Sequence, residues 1–242
     1  MKRLFGISAL VVVTCLMVSL NASAGTITGG ASDAQLTSRT LRDGASGINF
    51  VDFSSTISGN GWITSFSVFA QSWLDQSVAP GWDTNNYDAR QLALFILRDT
   101  GSNYQVVGTS PLETIPAGQT NWDKVYTFAL PGNGIPVQKN DYIGWYYPFQ
   151  GAAFQGPGVP GGVIAFSAGG HSVYWAPTTW GQGVAEVSGS LPYGYFQGYD
   201  NGRTYSINVQ GTDVAPVPLP GALPLFASGL FGLAAIRRRF KK

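Results

Sequence analysis

Residues 90–98 are the segment that most constrains how this chain can fold. Apolar side chains fill consecutive positions there, on both sides of an extended backbone: Leu92, Ala93, Leu94, Phe95, Ile96 and Leu97. Because such a strand has to be covered on both faces, the pattern predicts a central strand of a sandwich. Asp99-Thr100-Gly101 supplies a turn, and residues 104–107 are predicted to pair back as a hairpin.

Alternation with a period of two recurs along the chain, and no segment shows a sustained helical period. A short edge strand is predicted at residues 26–28. Further strands are predicted at residues 48–53, 61–70, 124–130, 141–148, 162–168, 172–175, 193–199 and 203–210. Asp200-Asn201-Gly202 is predicted to form the hairpin turn before the last strand. About nine or ten short strands at this spacing predict an all-β fold, an antiparallel β-sandwich or jelly roll.

Three of these segments follow one another in a distinctive succession: residues 94–98, 104–108 and 135–144, the last ending in Asp141-Tyr142-Ile143-Gly144. In this respect the chain resembles jelly-roll modules of bacterial surface proteins, where an Asp-x-Ile-Gly turn follows a long polar connection. The resemblance supports the sandwich and implies no activity.

The first 24 residues have the pattern of a cleavable signal peptide. Lys2 and Arg3 form a positive start, residues 4–20 are apolar, and the small residues Ala22 and Ala24 mark the cleavage site. We expect export by the Sec machinery and cleavage by signal peptidase, with an uncleaved N-terminal anchor as the alternative. Residues 25–213 would then be one ectodomain, which contains no cysteine and therefore no disulfide.

Residues 214–242 begin with a proline-rich linker and continue into an apolar run that ends in a basic cluster. The run, residues 219–236, contains 18 positions without a charge, close to the shortest helix that spans a hydrocarbon core of roughly 30 Å. The basic residues that follow should stay on the cytoplasmic side: Arg237, Arg238, Arg239, Lys241 and Lys242. The pattern predicts a transmembrane helix, with the preceding chain outside the cytoplasm.

Before this run stand Val217, Pro218, Leu219 and Pro220. Motif, apolar run and basic end together resemble the PEP-CTERM sorting signal of exopolysaccharide-producing Gram-negative bacteria, with Leu219 where the family name has Glu. The resemblance implies that an exosortase, a membrane-embedded cysteine transpeptidase, cuts near Pro218 or Pro220 and releases or re-anchors the ectodomain. An ordinary C-terminal anchor with a single span is the alternative.

Charge is unevenly distributed along the chain. Residues 25–213 hold all 13 acids but only 7 of the 14 Lys and Arg, which gives the predicted ectodomain a net charge of −6. Nucleic acid requires a basic face, so this balance argues against nucleic acid as a partner.

The residues of hydrolytic and metal chemistry are sparse. His171 is the only histidine, too few for a catalytic zinc site of nitrogen and sulfur ligands, and a surface or hydrogen-bonded structural role is favoured over that of a catalytic base. Glycoside hydrolysis needs only two carboxylates, so it stays open as an alternative, with Glu113, Glu186 and eleven aspartates available.

Residues 83–88 place oxygen donors at alternate positions, with Asp83, Asn85 and Asp88 as candidate calcium ligands. The Gly and the distal Glu of an EF-hand loop are missing, so a turn rich in Asp and Asn is the favoured interpretation. We therefore expect no cofactor, with calcium as the alternative.

Aromatic residues in or beside loops are the most informative functional signal. Their rings can stack on the apolar faces of sugars, and the candidate ligand platform consists of Trp73, Trp82, Tyr87, Trp122, Trp175 and Trp180. Tyr193, Tyr195 and Tyr199 are similarly placed. The alternative is that these rings cap the ends of the core.

Together these features predict an exported, exosortase-sorted protein of the cell surface or extracellular matrix. It would be anchored in the inner membrane before processing and lie at the surface or outside the cell afterwards. We expect it to be no enzyme, with exopolysaccharide as the candidate ligand. A secreted carbohydrate-active hydrolase using Asp or Glu and a purely structural surface protein are the alternatives.

Overall fold

The computed structural model describes residues 25–39, 41–42, 47–72, 87–148, 162–177 and 189–215. The predicted signal peptide and apolar tail helix, with their cleavage site, sorting motif and basic end, lie outside these ranges. The described chain is all-β: it contains thirteen strands, the short helix α1 (Asp33–Leu36) and a 3₁₀ turn (Gln119–Asn121). Neither helix in these ranges has the length and apolar character needed to cross a membrane.

The strands form two antiparallel sheets. The smaller sheet contains, in spatial order, β1 (Thr26–Gly30), β13 (Ile207–Thr212), β3 (Gly61–Ala70) and β7 (Lys124–Ala129), with β8 (Ile135–Val137) also paired to β3. The larger sheet contains β11 (Ser190–Leu191), β5 (Tyr104–Thr109), β4 (Arg90–Asp99), β9 (Tyr142–Tyr147), β2 (Ile48–Thr56), β10 (Phe166–Pro177) and β12 (Gly198–Tyr205), with β6 (Glu113–Ile115) also paired to β4.

The prediction for residues 90–98 is confirmed. This segment forms β4, an internal strand that pairs with β9 on one side and with β5 and β6 on the other. Gly101 has φ +83° in the turn that follows, a conformation that a residue without Cβ adopts freely, and Asp99 pairs with Tyr104 across the predicted hairpin.

The two sheets share one core, which gives the molecule a β-sandwich-like arrangement. The smaller sheet contributes Ile63, Phe66 and Val209, and the larger contributes Leu94 and Trp145. Trp145 has none of its surface exposed; its ring stacks on Phe50 with centroids 5.4 Å apart and lies 4.7 Å from Tyr205. Full burial of each such side chain stabilises the fold by about 1.5–3 kcal/mol.

A partly buried ion pair holds β9 against β4. Arg98 donates from Nε and Nη2 to the two carboxylate oxygens of Asp141, over 2.8 and 2.7 Å, and the Gln138 amide donates to Asp141 over 2.7 Å. The hydrogen bond with Asp141 is the main reason that the pKa of Arg98 is raised. These bonds fix where β9 begins, and therefore where Tyr142 lies.

The last part of the chain departs from the prediction. Asp200-Asn201-Gly202 forms no hairpin turn but lies inside β12, opposite a bulge in β10 between Ala168 and Ser172. Gly202 has φ +78°, so its backbone freedom serves an irregular pairing instead of a turn. The predicted segments 162–168 and 172–175 overlap one strand, β10, that runs through this bulge.

The predicted strand at 193–199 is also wrong: a turn closes at Tyr195, whose amide donates to the Pro192 carbonyl over 2.9 Å, and β12 begins only at Gly198. The predicted final strand is divided at Ser206. There the chain passes from the larger sheet to the smaller one, with the Ser206 amide bonded to Ala165 and its carbonyl to Phe69. This crossing closes one side of the sandwich.

Candidate functional site

The structure places only part of the predicted ligand platform. Trp73, Trp82 and Trp180 lie outside the described residues, as do the calcium candidates Asp83 and Asn85. Asp88 is described, and its carboxylate lies 3.6 Å from Nη2 of the buried Arg90. Within the described ranges, no three His, Cys, Asp or Glu side chains are grouped so that they could hold a metal ion.

Trp122 is a core residue, which corrects its assignment to the platform. Its side chain is only 3% exposed, and the Arg42 guanidinium lies 5.3 Å from the centre of its ring. A ring covered in this way has no free face for a ligand. Tyr87 and Trp175 are half-buried against the same core, and the ring of Trp175 rests on the backbone of Gly198.

A different set of rings gathers on the face of the larger sheet that points away from the core. We call it the outer aromatic cluster, and it consists of Phe53, Phe95, Tyr104, Tyr142, Tyr174, Tyr193, Tyr195 and Phe196. Phe53 lies at its centre, with ring centroids 5.2 Å from Tyr104, 5.0 Å from Tyr142 and 5.4 Å from Tyr174. The crossings are mostly tilted or edge-to-face, the arrangement that aromatic pairs prefer.

Strand alternation explains why these rings share a face. In β2, Phe50 packs in the core, while the buried Val51 and the partly buried Phe53 lie on the outer face with the outer aromatic cluster. Residues 189–197 then fold over the sheet: Leu191 and Phe196 are buried, and Asn49 donates a hydrogen bond to the Tyr195 hydroxyl over 3.1 Å. The outer face of the larger sheet is thus partly covered as well.

Tyr193 is the most exposed ring of this cluster. It is 44% exposed, and its hydroxyl donates to Asp99 Oδ1 over 2.5 Å. This hydrogen bond raises the pKa of Tyr193 to about 12 and, with the Gly101 amide that also donates to Asp99, lowers the pKa of Asp99. The carboxylate is therefore charged at neutral pH and held at the rim of the cluster.

Further hydroxyls lie near the same rim. Burial is the main cause of the raised pKa of Tyr104, and the nearby Asp99, Tyr142 and Tyr174 raise it further. The site therefore combines one exposed ring, a fixed carboxylate and several phenol groups. Such a surface can stack on an apolar ligand face and exchange hydrogen bonds with hydroxyl groups at its edge.

Most of this cluster is absent from the predicted platform, which consists of rings in or beside loops. Tyr104, Tyr142 and Tyr174 lie within strands, where a ring is ordinarily a core residue. The sequence feature that points to this cluster is the apolar pattern on both faces of β4, because the outer face of that strand also has to be covered by side chains.

His171 is hydrogen-bonded, but not as in a catalytic triad. Its Nδ1 lies 2.7 Å from Asp52 Oδ2 and 3.3 Å from Ser55 Oγ, and Ser55 also donates to Asp52 over 2.7 Å. A triad requires the serine at Nε2 and the acid at Nδ1, whereas here both partners lie at Nδ1. The geometry describes a histidine oriented by a buried carboxylate.

Comparisons with protein-family models, with curated proteins and with solved structures each return no match for this chain. Its function has to be inferred from the chemistry of its own side chains.

Proposed function

We propose that this chain is an exported, exosortase-sorted protein of the cell surface or extracellular matrix. Its ectodomain is a β-sandwich of jelly-roll type that binds exopolysaccharide without converting it. The observation that carries the binding proposal is the exposed Tyr193 ring, held by a charged Asp99 at the rim of the outer aromatic cluster. Export and sorting are supported by the residue patterns at the two ends of the chain.

In this proposal the Tyr193 ring stacks on a sugar face. Because Asp99 Oδ1 already accepts hydrogen bonds from Tyr193 and from Gly101, the ring and the carboxylate are held together before a ligand arrives. Such preorganisation lowers the entropy lost on binding. Asp99 Oδ2, which has no hydrogen-bond partner among the described residues, accepts a sugar hydroxyl.

The binding test uses the full chain, purified in detergent after export. Immobilised protein is titrated with alginate, xanthan, dextran and the host's own exopolysaccharide, and binding is followed by mass change at the surface. We expect at least one polymer to bind saturably and Tyr193→Ala to weaken that binding about tenfold, since loss of a stacked ring removes on the order of 1–3 kcal/mol. Val125→Ala, which alters another exposed side chain on β7, is the matched control.

The outcomes separate the three classes of function. No saturable binding to any of these polymers would leave a structural surface protein. New reducing ends after long incubation would instead support the hydrolase alternative. For the tail, neutral substitutions at Arg237, Arg238 and Arg239 should block sorting; unchanged surface display would refute the exosortase assignment.

A further inference from the structure

The smaller sheet carries a cleft that is separate from the outer aromatic cluster. The cleft has a volume of about 360 Å³ and lies where β1 and α1 meet β13. Gly29 and Gly30 line it, and the side chains around it include Asp33, Asn208 and Gln210. This volume is at the lower end of the range for small-molecule sites, so a ligand the size of a single sugar unit is the appropriate scale.

The local backbone builds this cleft in advance. β1 ends at Gly30 with φ +83°, and a Cβ at this position would collide with the Ile207 carbonyl oxygen. The chain therefore turns back over β13, where the Ala31 amide bonds to that same carbonyl over 2.8 Å. Arg39 then ties the end of α1 to the sheet, donating to the Gln35 carbonyl over 3.0 Å and to Ser206 Oγ over 3.2 Å.

Asn208 is the residue that points to a ligand. It is only 4% exposed, and its Nδ2 donates to Asp33 Oδ1 over 2.8 Å, which fixes the orientation of the amide. Its Oδ1 has no hydrogen-bond partner in the part of the chain that the structure describes. A buried acceptor without a donor is destabilising, so a hydroxyl or amide donor bound in the cleft would satisfy it.

The lining restricts the class of ligand. Among the described residues, no aromatic ring lines the cleft, which argues against flat apolar ligands, and the Asp33 carboxylate disfavours anions. The described residues offer no group of three acids for a cation, and Asp33 Oδ1 is already bonded to Asn208. A neutral molecule with hydroxyl donors fits this lining.

We infer that this cleft binds a neutral polyhydroxylated small molecule, a single sugar unit, with Asn208 Oδ1 and the Asp33 carboxylate as acceptors and Gln210 at the rim. The site lies on the opposite sheet from the outer aromatic cluster, so the inference does not depend on the proposed function. A chain with both sites would bind sugar on two faces.

Saturation-transfer NMR on the full chain tests the inference, with D-glucose, D-galactose, D-mannose and N-acetyl-D-glucosamine as the probes. We expect saturable binding of at least one sugar, with Kd on the order of millimolar, as befits a small site with few contacts. Asn208→Ala should weaken this binding at least tenfold and Gln210→Ala about threefold. Gln119→Ala, an exposed glutamine in the 3₁₀ turn, is the matched control and should change nothing.

Three results would overturn the inference: no saturable signal with any of the four sugars, a signal that neither cleft substitution weakens, or a signal that Tyr193→Ala abolishes. The last would place the sugar at the outer aromatic cluster instead. If Asn208→Ala fails to fold, the exposed Gln210→Ala decides alone, because its side chain is outside the core.

Discussion

The two outward faces of this molecule have opposite chemistry although both are built by the same strand alternation. The larger sheet turns rings outward and covers them with residues 189–197. The smaller sheet turns polar side chains outward, and Asn208, Ser67 and Thr127 follow one another across β13, β3 and β7. The apolar inward residues of both sheets share one core.

The inward side chains hold the sandwich together, whereas the outward side chains determine the chemistry of its surfaces. The inward positions have to be apolar for the two sheets to pack, so they carry little information about function. The outward positions are free of that demand. One face has become a second layer with an aromatic rim, and the other is polar, with buried Asn208 and Ser67 beside exposed Thr127, and carries a cleft.

Among the substitutions that test this difference between the faces, Phe95→Ala should have the largest effect on the free energy of unfolding. Phe95 is 1% exposed in the outer aromatic cluster, so its truncation leaves a cavity and should lower the free energy of unfolding by about 3–5 kcal/mol. Urea unfolding of the full chain measures the change. A loss below about 1 kcal/mol would mean that the outer layer is not part of the folded unit.

Gly144→Ala tests how closely that layer packs on the sheet. A Cβ at Gly144 would collide with the Phe95 ring and approach the Phe50 carbonyl, so a loss of about 1–3 kcal/mol is expected. Gly194→Ala, where a Cβ meets nothing, is the control and should lie within about 0.5 kcal/mol of the parent. The double variant Gly144→Ala, Phe95→Ala should lose less stability than the two single variants lose together, because the ring that clashes with the new Cβ is gone. Full additivity would contradict this packing.

Ser67→Ala probes the opposite face. The Ser67 and Thr127 hydroxyls are 2.8 Å apart, and removing one of them should cost about 1 kcal/mol by the same unfolding measurement. Adding Thr127→Val removes the second hydroxyl and should cost little more, since no unpaired group then remains. A loss as large as that of Phe95→Ala would erase the distinction between the faces.

The smallest expected effect is a change in the pKa of Tyr193, which is measured from the absorbance of its phenolate. The raised pKa means that the hydrogen bond to Asp99 contributes its full stability below the ordinary tyrosine pKa and loses it as the pH rises through about 12. The lowered pKa of Asp99 means that its contribution is lost only as the pH falls through that lowered value. In Asp99→Asn the Tyr193 transition should move down toward its ordinary value of 10.0; an unmoved transition would assign the shift to burial.

Several features of the fold and the site follow from the sequence alone. Alternation of apolar residues determined most of the strands, and the double-sided pattern of β4 determined its internal place, because side-chain direction in a strand depends only on local geometry. The sequence also favoured a surface or hydrogen-bonded structural role for His171, and the structure shows the hydrogen bond to Asp52. The strands of two or three residues, β6, β8 and β11, are too short to show a period.

Other features depend on tertiary contacts between residues that are far apart in the chain. Asp200-Asn201-Gly202 has the residues of a turn, but pairing with β10 stabilises it as a strand. Trp122 has the position of a surface ring, but the core covers it. Asn208 and Asp33 meet across 175 residues, and Tyr193 and Asp99 across 94. Burial and partner choice depend on these long-range contacts, and no local pattern of residues encodes them.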